Sequence, residues 1–426
     1  MVKRLIVHFK DVFSPLRLRD LRLYWLGQVI SLIGIWMQAT AQSWVVWTLT
    51  GSTVDLGAVA MLGLLPFLLL APFTGSIADR VDRRKLLILT QLVAMTLAFV
   101  LAWLVHTDAA QLWHIYVLAL LLGIVNSFDS IANQAFVSDL AGSEVRKAVI
   151  INNMLFQLSR MLGPALAGIV IAAAGAAAAF WFNGVTFLAV IASLLAIKAH
   201  QQVRVESKGK ALDDFKEGLR FLRSSPVLTG LVWIVTITTF FVFPTMFILP
   251  AVATNVLGGD ASTLGLLMAS SGAGALVGSL FIAPLAQKIR RTGLMLAAAS
   301  VWAGLWLTVF SFSNILQVSM IALFFSSLLI PVIFTTANAL LQLMAPPHMK
   351  ARMISILMLI GLGMQPVASY LLGYSAAILG IQAALRLNGL LMITAIAALL
   401  FFDSELRKWE TEITVEGKGH PAAAGH

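Results

Sequence analysis

The chain has 426 residues, 59% of them hydrophobic and 11% charged, with a mean hydropathy of +0.92. Soluble domains carry about 25% charged residues, so this composition excludes an ordinary soluble enzyme or binding module and points to an all-α, polytopic membrane protein. The net charge is +10 and cysteine is absent, which removes disulfides, thiolate chemistry and cysteine-bound metals.

The first stretch, "MVKRLIVHFKDVFSPLRLRD", is basic but lacks an apolar core and a small-residue cleavage site. It reads as a cytoplasmic segment, 1–22, and not as a signal peptide. Apolar runs follow near 23–48, 54–77, 86–105, 112–137, 148–174 and 179–198. After a polar stretch they resume near 228–253, 262–286, 293–311, 315–344, 353–378 and 386–402. Each is about the length a helix needs to cross a bilayer, so twelve transmembrane helices are expected. The polar stretch 199–226 carries Leu212, Phe215, Leu219 and Leu222 at helical spacing with charges between them. That pattern predicts an amphipathic helix on the cytoplasmic membrane face. It would join a six-helix bundle, 23–198, to a second, 227–402, ahead of a cytoplasmic tail, 403–426.

Lysine and arginine gather before the first span, between spans two and three, after spans four, six, eight and ten, and in the tail. The alternate loops carry only Arg386. By the positive-inside rule both termini are cytoplasmic, in a multi-pass protein of the inner (cytoplasmic) membrane. The basic charge therefore orients the chain, and no nucleic-acid partner is expected. Membrane lipid is its surroundings. The halves also echo each other. A shift of 205 residues pairs Asn133 with Asn338, Lys147 with Arg352, Gly168 with Gly373 and Gly175 with Gly380. Parallel six-span repeats are a recurring plan of secondary transporters.

Between spans two and three lies "GSIADRVDRRKLL", 75–87. Asp79 and Arg83 are four apart and can bridge on a helical turn. An exposed pair is worth only ~0–1 kcal/mol, but one held in a dry interface at a helix end counts for more. The segment is either a topological anchor or a latch between moving halves. Gly75, Asp79, Arg80, Arg83 and Arg84 resemble the signature that the major facilitator superfamily carries at this place, with Asp82 where a second glycine is usual. The resemblance covers the chain, and "SRMLGPALAG" in span five is similar to the family's antiporter motif at Gly163, Pro164 and Gly168, with Ala167 in place of a further glycine. The layout around "NQAFVSDL" and "FKEGLRFLRSSP" looks most like the bacterial branch of siderophore exporters and macrolide-efflux pumps. The resemblance implies a cytoplasmic gate in the charged loop. The matching place in the second half, "GSLFIAPLAQKIRR", keeps its basic residues without an acid, so the latch is one-sided.

Polar stripes run along four spans: Gln28, Ser31, Gln38 and Gln42 on one; Asn126, Asp129 and Asn133 on four; Asn153, Gln157 and Arg160 on five; Thr335, Asn338 and Gln342 on ten. Polar groups facing lipid go unsatisfied, so these faces point into the bundle. Any one residue fits an interhelical hydrogen bond worth about 1 kcal/mol or less. The four stripes together predict a polar substrate cavity, to which Trp233 is a candidate aromatic contributor along with Trp36, Trp44 and Trp47. Asp129 and Arg160 are the ionisable residues well inside the spans. A buried charge costs at least ~2.5 kcal/mol, so each needs a partner. They can pair with each other, or Asp129 can reach Arg83; proton carrier and buried ion pair both fit Asp129.

No phosphate-binding glycine loop, nucleophile–base pair or metal-spaced histidine cluster is present, so neither an enzyme activity nor a cofactor or metal is expected. What the resemblance implies is a monomeric secondary transporter that exports a small amphiphilic molecule of drug or siderophore type by alternating access with proton antiport. A lysolipid or glycolipid flippase of the same fold, and a non-transporting membrane sensor or scaffold, are the alternatives.

Overall fold

A computed structural model describes residues 13–197, 211–286, 289, 291–346, 349–403 and 407, with the backbone alone at 71–73, 75–80, 211–215, 351, 354 and 362. Eleven of its helical runs are long and apolar enough to cross a membrane, one of them the 63-residue run Leu112–Ala174. Gly142, at φ 52°, divides that run in two, so the spans number twelve. A glycine is needed there because a left-handed turn strains any residue with a Cβ.

Spans one to six are Arg19–Thr50, Thr53–Arg80, Arg83–His106, Leu112–Ala141, Val145–Ala174 and Ala176–Ala196. A linker helix, Ala211–Ser224, precedes the second half. Spans nine and twelve, Thr292–Phe312 and Ile381–Phe402, are continuous helices. Span seven is broken into Pro226–Val242 and Thr245–Ala251 around Pro244, and span eight, Ala261–Val277, passes through a π turn at 278–282 before Ala283–Ala286. Span ten comprises Leu316–Leu328 and Ile330–Met344, and span eleven Lys350–Gly363 and Gln365–Leu379. Both second segments carry proline in their first turn. Proline removes a backbone donor and so tends to interrupt a helix where it falls inside one. The predicted linker helix is present over Ala211–Ser224, and 199–210 lie outside the described residues. Leu222 is buried and Gly218 lies against Ile356 and Met353 of span eleven. The helix therefore docks one face on the second half.

Two faces of the bundle can be distinguished: a terminal face, where span one begins and the linker helix lies, and a distal face opposite. On the terminal side the apolar clusters stay within one half each. One, around Leu21, Tyr24, Phe136 and Leu194, lies within residues 21–197, and another, around Leu231, Ile333 and Met353, within residues 222–396. On the distal side a cluster crosses between the halves, joining Met37, Val46, Ala167 and Ile171 to Ala251 and Ala261. Hydrogen bonds follow the same path, from Trp47 Nε1 to Thr254 Oγ1 (2.8 Å) and from Thr53 Oγ1 to the Gly373 carbonyl (2.8 Å).

Glycines set how close the distal seams come. A Cβ on Gly168 of span five would stand 2.9 Å from the Ala261 carbonyl oxygen and 3.2 Å from Gly265 Cα of span eight. A Cβ on Gly373 of span eleven would stand 3.3 Å from Gly57 Cα of span two. Small residues allow such approach, and dispersion then holds helices that lipid would not drive together. Gly168 and Gly373 thus do the same work in the two halves, as do Gly175 (φ 79°) and Gly380 (φ 87°), which turn span five into six and eleven into twelve. Lys147 and Arg352 also match. Lys147 holds Glu144 and Ser14, ahead of span one, and Arg352 holds Glu217 at 2.6 Å on the helix ahead of span seven. The repeat is physical as well as written.

Replacing Gly168 by valine should part spans five and eight at the distal face. With a single cysteine at Ser43 in this cysteine-free chain, labelling by an impermeant maleimide from the distal side should rise several-fold over the same cysteine in the parent. Equal labelling would contradict the role given to Gly168.

Candidate functional site

The charged loop is organised by helix ends. Asp82 N-caps span three, its carboxylate accepting from the Lys85 backbone N–H at 3.1 Å. Such a cap satisfies one of the donors that a helix start leaves over. The acid that departs from the family signature therefore has a local structural reason. Arg84 donates to the Leu195 carbonyl at 3.0 Å, where span six ends with unpaired acceptors. Arg83 places Nη1 at 2.8 Å from both carboxylate oxygens of Asp139, at the end of span four. The described partner of Arg83 is thus Asp139, not Asp129, and it belongs to the same half. The side chains of Gly75, Asp79 and Arg80 lie outside the described residues, as do Lys288 and Arg290 of the matching loop.

Asp129 of span four is half-buried and turns to span three. Its Oδ1 accepts from Thr90 Oγ1 at 2.7 Å and Gln91 Nε2 at 2.8 Å. Arg160 of span five turns the other way. Its guanidinium carbon lies 5.8 Å from the Trp36 ring centroid and 5.7 Å from that of Phe243, and Nη2 reaches Ser271 Oγ at 3.4 Å. An Asp129–Arg160 ion pair is therefore not formed: each charge takes neutral partners on different helices.

A cavity of about 170 Å³ opens between spans one, two and four. Gln42, Ser43 and Asn126 give it polar atoms, while Val46, Leu56, Val59, Leu64, Leu122 and Phe247 make most of its wall. Among the described residues no charged side chain lines it.

The predicted polar stripes divide accordingly. Gln42 and Asn126 border the cavity. Gln28, Ser31 and Gln38 are buried, and Gln38 accepts from Asn183 of span six at 2.6 Å. Span one packs on span six through Gly27 and Gly34, which explains why that part of the stripe is interhelical and not cavity-lining. Asn153 and Thr335 are exposed, and Gln157 and Asn133 are half-buried, each with a buried side-chain oxygen that no described group meets. Asn338 accepts from Gln342 at 3.2 Å, a bond along one helix face. Asn126 is exposed at the cavity, whereas Asn153 is exposed outside its lining. Trp233 is 52% exposed on span seven and does not line the cavity. In the antiporter-like motif, Gly163 abuts Trp36 and Ile33 of span one, the Pro164 carbonyl faces Gly265, and Gly168 meets span eight. The motif is a packing surface on both sides.

Sequence reasoning missed Asp139, Thr90, Gln91 and Phe243 as partners. Asp139 is an acid at a span end and Thr90 and Gln91 are polar residues in a span, so both signals were present. Which helix each faces is a property of packing.

The family model described as transmembrane secretion effector matches residues 10–422. The multidrug efflux pump Tap of Mycolicibacterium fortuitum is 27% identical over 80% of this chain and 85% of its own length. The staphyloferrin A transporter of Staphylococcus aureus is 25% identical over 88% of this chain and 94% of its own. Among solved structures, a bacterial homolog of the human lysosomal transporter Spinster, in an inward-facing and occupied conformation, superposes with a TM-score of 0.72 at 13% identity, covering 92% of this chain and 98% of that one. The last shows the shared fold alone.

The Arg83–Asp139 pair should show coupling in a double-mutant cycle. Arg83→Ala and Asp139→Ala each lower unfolding stability, and the double variant should be less destabilised than their sum by on the order of 1 kcal/mol. Strict additivity would show that the two charges do not act as a pair.

Proposed function

The chain belongs to the transmembrane secretion effector family of major facilitator transporters, and from that premise we propose that it exports a small amphiphilic molecule from the cytoplasm by alternating access, driven by proton entry. The observation that carries this reading is the asymmetry of the seam: the apolar core runs across the halves on the distal side and stays within each half on the terminal side. With the terminal face cytoplasmic, as the distribution of lysine and arginine favours, such an arrangement offers the crevice to the cytoplasm and seals it from outside. Rocking about a midplane site then moves substrate across. The closed distal glycine seams are the contacts that opening must break.

The drug and siderophore transport named for the relatives supports the substrate class. In this reading the protein sits in the inner membrane with both termini cytoplasmic and works as a monomer. Asp129 is the candidate proton carrier. Its described partners, Thr90 and Gln91, are neutral donors and no cation among the described residues pairs with it, so a change in hydration on rocking can alter its protonation. Arg83 and Asp139, with Gly75, Asp79, Arg80 and Arg84, form the gate at the cytoplasmic face.

The substitution Asp129→Asn keeps an oxygen acceptor for both hydrogen bonds but removes the titratable group. In cells expressing the chain, accumulation of a panel of siderophores, macrolides and dyes is measured with and without an uncoupler. Export of at least one compound that is lost both on uncoupling and in Asp129→Asn supports the reading. Export that survives the uncoupler contradicts proton coupling, and full export by Asp129→Asn removes Asp129 from it.

A further inference from the structure

Arg160 holds a charge deep in the bundle for which the described residues supply no counter-charge. It lies fifteen residues into span five, about 22 Å along the helix from the terminal face. Among the described residues no carboxylate lies within salt-bridge distance of it, and its described acceptor is Ser271 Oγ at 3.4 Å. A guanidinium carries five N–H donors, so most of its edge is uncommitted. The ring faces of Trp36 and Phe243 flank it, from opposite halves of the chain. Both contacts are of cation–π type, which attracts the charge without using its N–H donors. Phe156, one turn earlier on span five, packs edge-on to Trp36 at 5.7 Å and is 44% exposed.

The clamp neighbours the cavity along two helices. Trp36, Ala39 and Ser43 follow one another on a single face of span one, and the last two line the cavity. Phe243 and Phe247 stand one turn apart at the break in span seven, and Phe247 lines the same cavity. Both aromatic partners of the charge thus stand one helical turn from residues that line a largely apolar space with no charged side chain among its described lining. Gln157, one turn before Arg160, adds a buried amide oxygen that no described group meets.

We propose that this juxtaposition is a two-part binding site for a monoanionic amphiphile. A carboxylate head pairs with the Arg160 guanidinium between Trp36 and Phe243, and an uncharged apolar body fills the cavity between spans one, two and four. Planar, paired N–H donors match the two oxygens of a carboxylate, which a neutral amide or a cation cannot reproduce. Since Trp36 and Phe243 come from different halves, a head group held at Arg160 also touches the seam along which the halves separate. The site rests on the transport reading in taking the crevice as the substrate path.

The test uses the full chain in lipid nanodiscs and three matched probes: 2-naphthoate, 2-naphthamide and (2-naphthylmethyl)ammonium. Binding is followed by calorimetry against empty nanodiscs. Naphthoate should bind at least tenfold more tightly than the amide, and the ammonium probe least. Arg160→Gln should erase the preference for the anion, while Arg160→Lys, which keeps the charge, should retain the order with weaker affinity. Equal affinities, selectivity that survives in Arg160→Gln, or no saturable naphthoate binding up to millimolar concentration would overturn the site. Binding is read without transport, so selective binding by a chain that exports nothing would overturn the transport reading and leave this one standing. Gradient-driven export without anion selectivity would do the reverse.

Discussion

The contact on which the rest depends is the approach of span five to span eight at Gly168 and Gly265. In lipid there is no hydrophobic force to press helices together, so close backbone approach has to supply the attraction through dispersion. The missing Cβ atoms bring the two halves within van der Waals distance on the distal side. Gly373 and Gly57 repeat the arrangement between spans eleven and two. From these seams the other features follow. The apolar core can cross the halves there, Trp47 can reach Thr254, and Phe243 of the second half can stand against Arg160 of the first. A seam built from small residues has few interlocking side chains to disengage, which suits the repeated opening of the proposed cycle.

Charge is used sparingly and for several purposes. On the terminal face Asp82 caps a helix, Arg84 closes the end of another and Arg83 binds Asp139. A single loop therefore ties the ends of spans three, four and six together, which gives its dense charge a structural use in an otherwise apolar chain. Lys147 and Arg352 each hold the segment that leads into their own half. Inside the spans the two ionisable groups are kept apart. Asp129 rests on neutral donors of span three, and Arg160 rests between aromatic rings at the seam. Separation leaves each free to respond to a different partner, the proton in one case and a substrate anion in the other, under the proposed cycle.

Much of the architecture was legible in the sequence because the bilayer fixes the length of each span and forbids unsatisfied backbone between them. The spans, the linker helix and the glycine correspondences at Gly168/Gly373 and Gly175/Gly380 follow from apolar run lengths and spacing. The long run Leu112–Ala174 shows where hydropathy alone falls short, since only the left-handed Gly142 separates its two spans. The site was less legible. A stripe such as Gln28, Ser31, Gln38 and Gln42 shows that a helix has a polar face, but which part meets a neighbour is decided by packing. Here Gly27 and Gly34 draw span six against the helix, so Gln38 meets Asn183 while Gln42 meets the cavity. The pairing of Asp129 with Arg160 failed for the same reason. Both are intramembrane charges, yet their helix faces point to opposite neighbours. Asp139 escaped notice because an acid at a span end resembles ordinary surface charge.

The central claim is that the halves close at the distal seam and separate at the terminal face, and exchange these states during transport. The most direct measurement places spin labels on cysteines introduced in this cysteine-free chain. One pair spans the distal seam at Thr48 and Asn255, and another spans the terminal face at Arg146 and Lys350. Distances are read in nanodiscs with and without a transported compound. The account predicts a short distal distance and a long terminal one at rest, with a reciprocal exchange in part of the population when substrate is present. Distances that stay fixed, or that lengthen and shorten together, would contradict it.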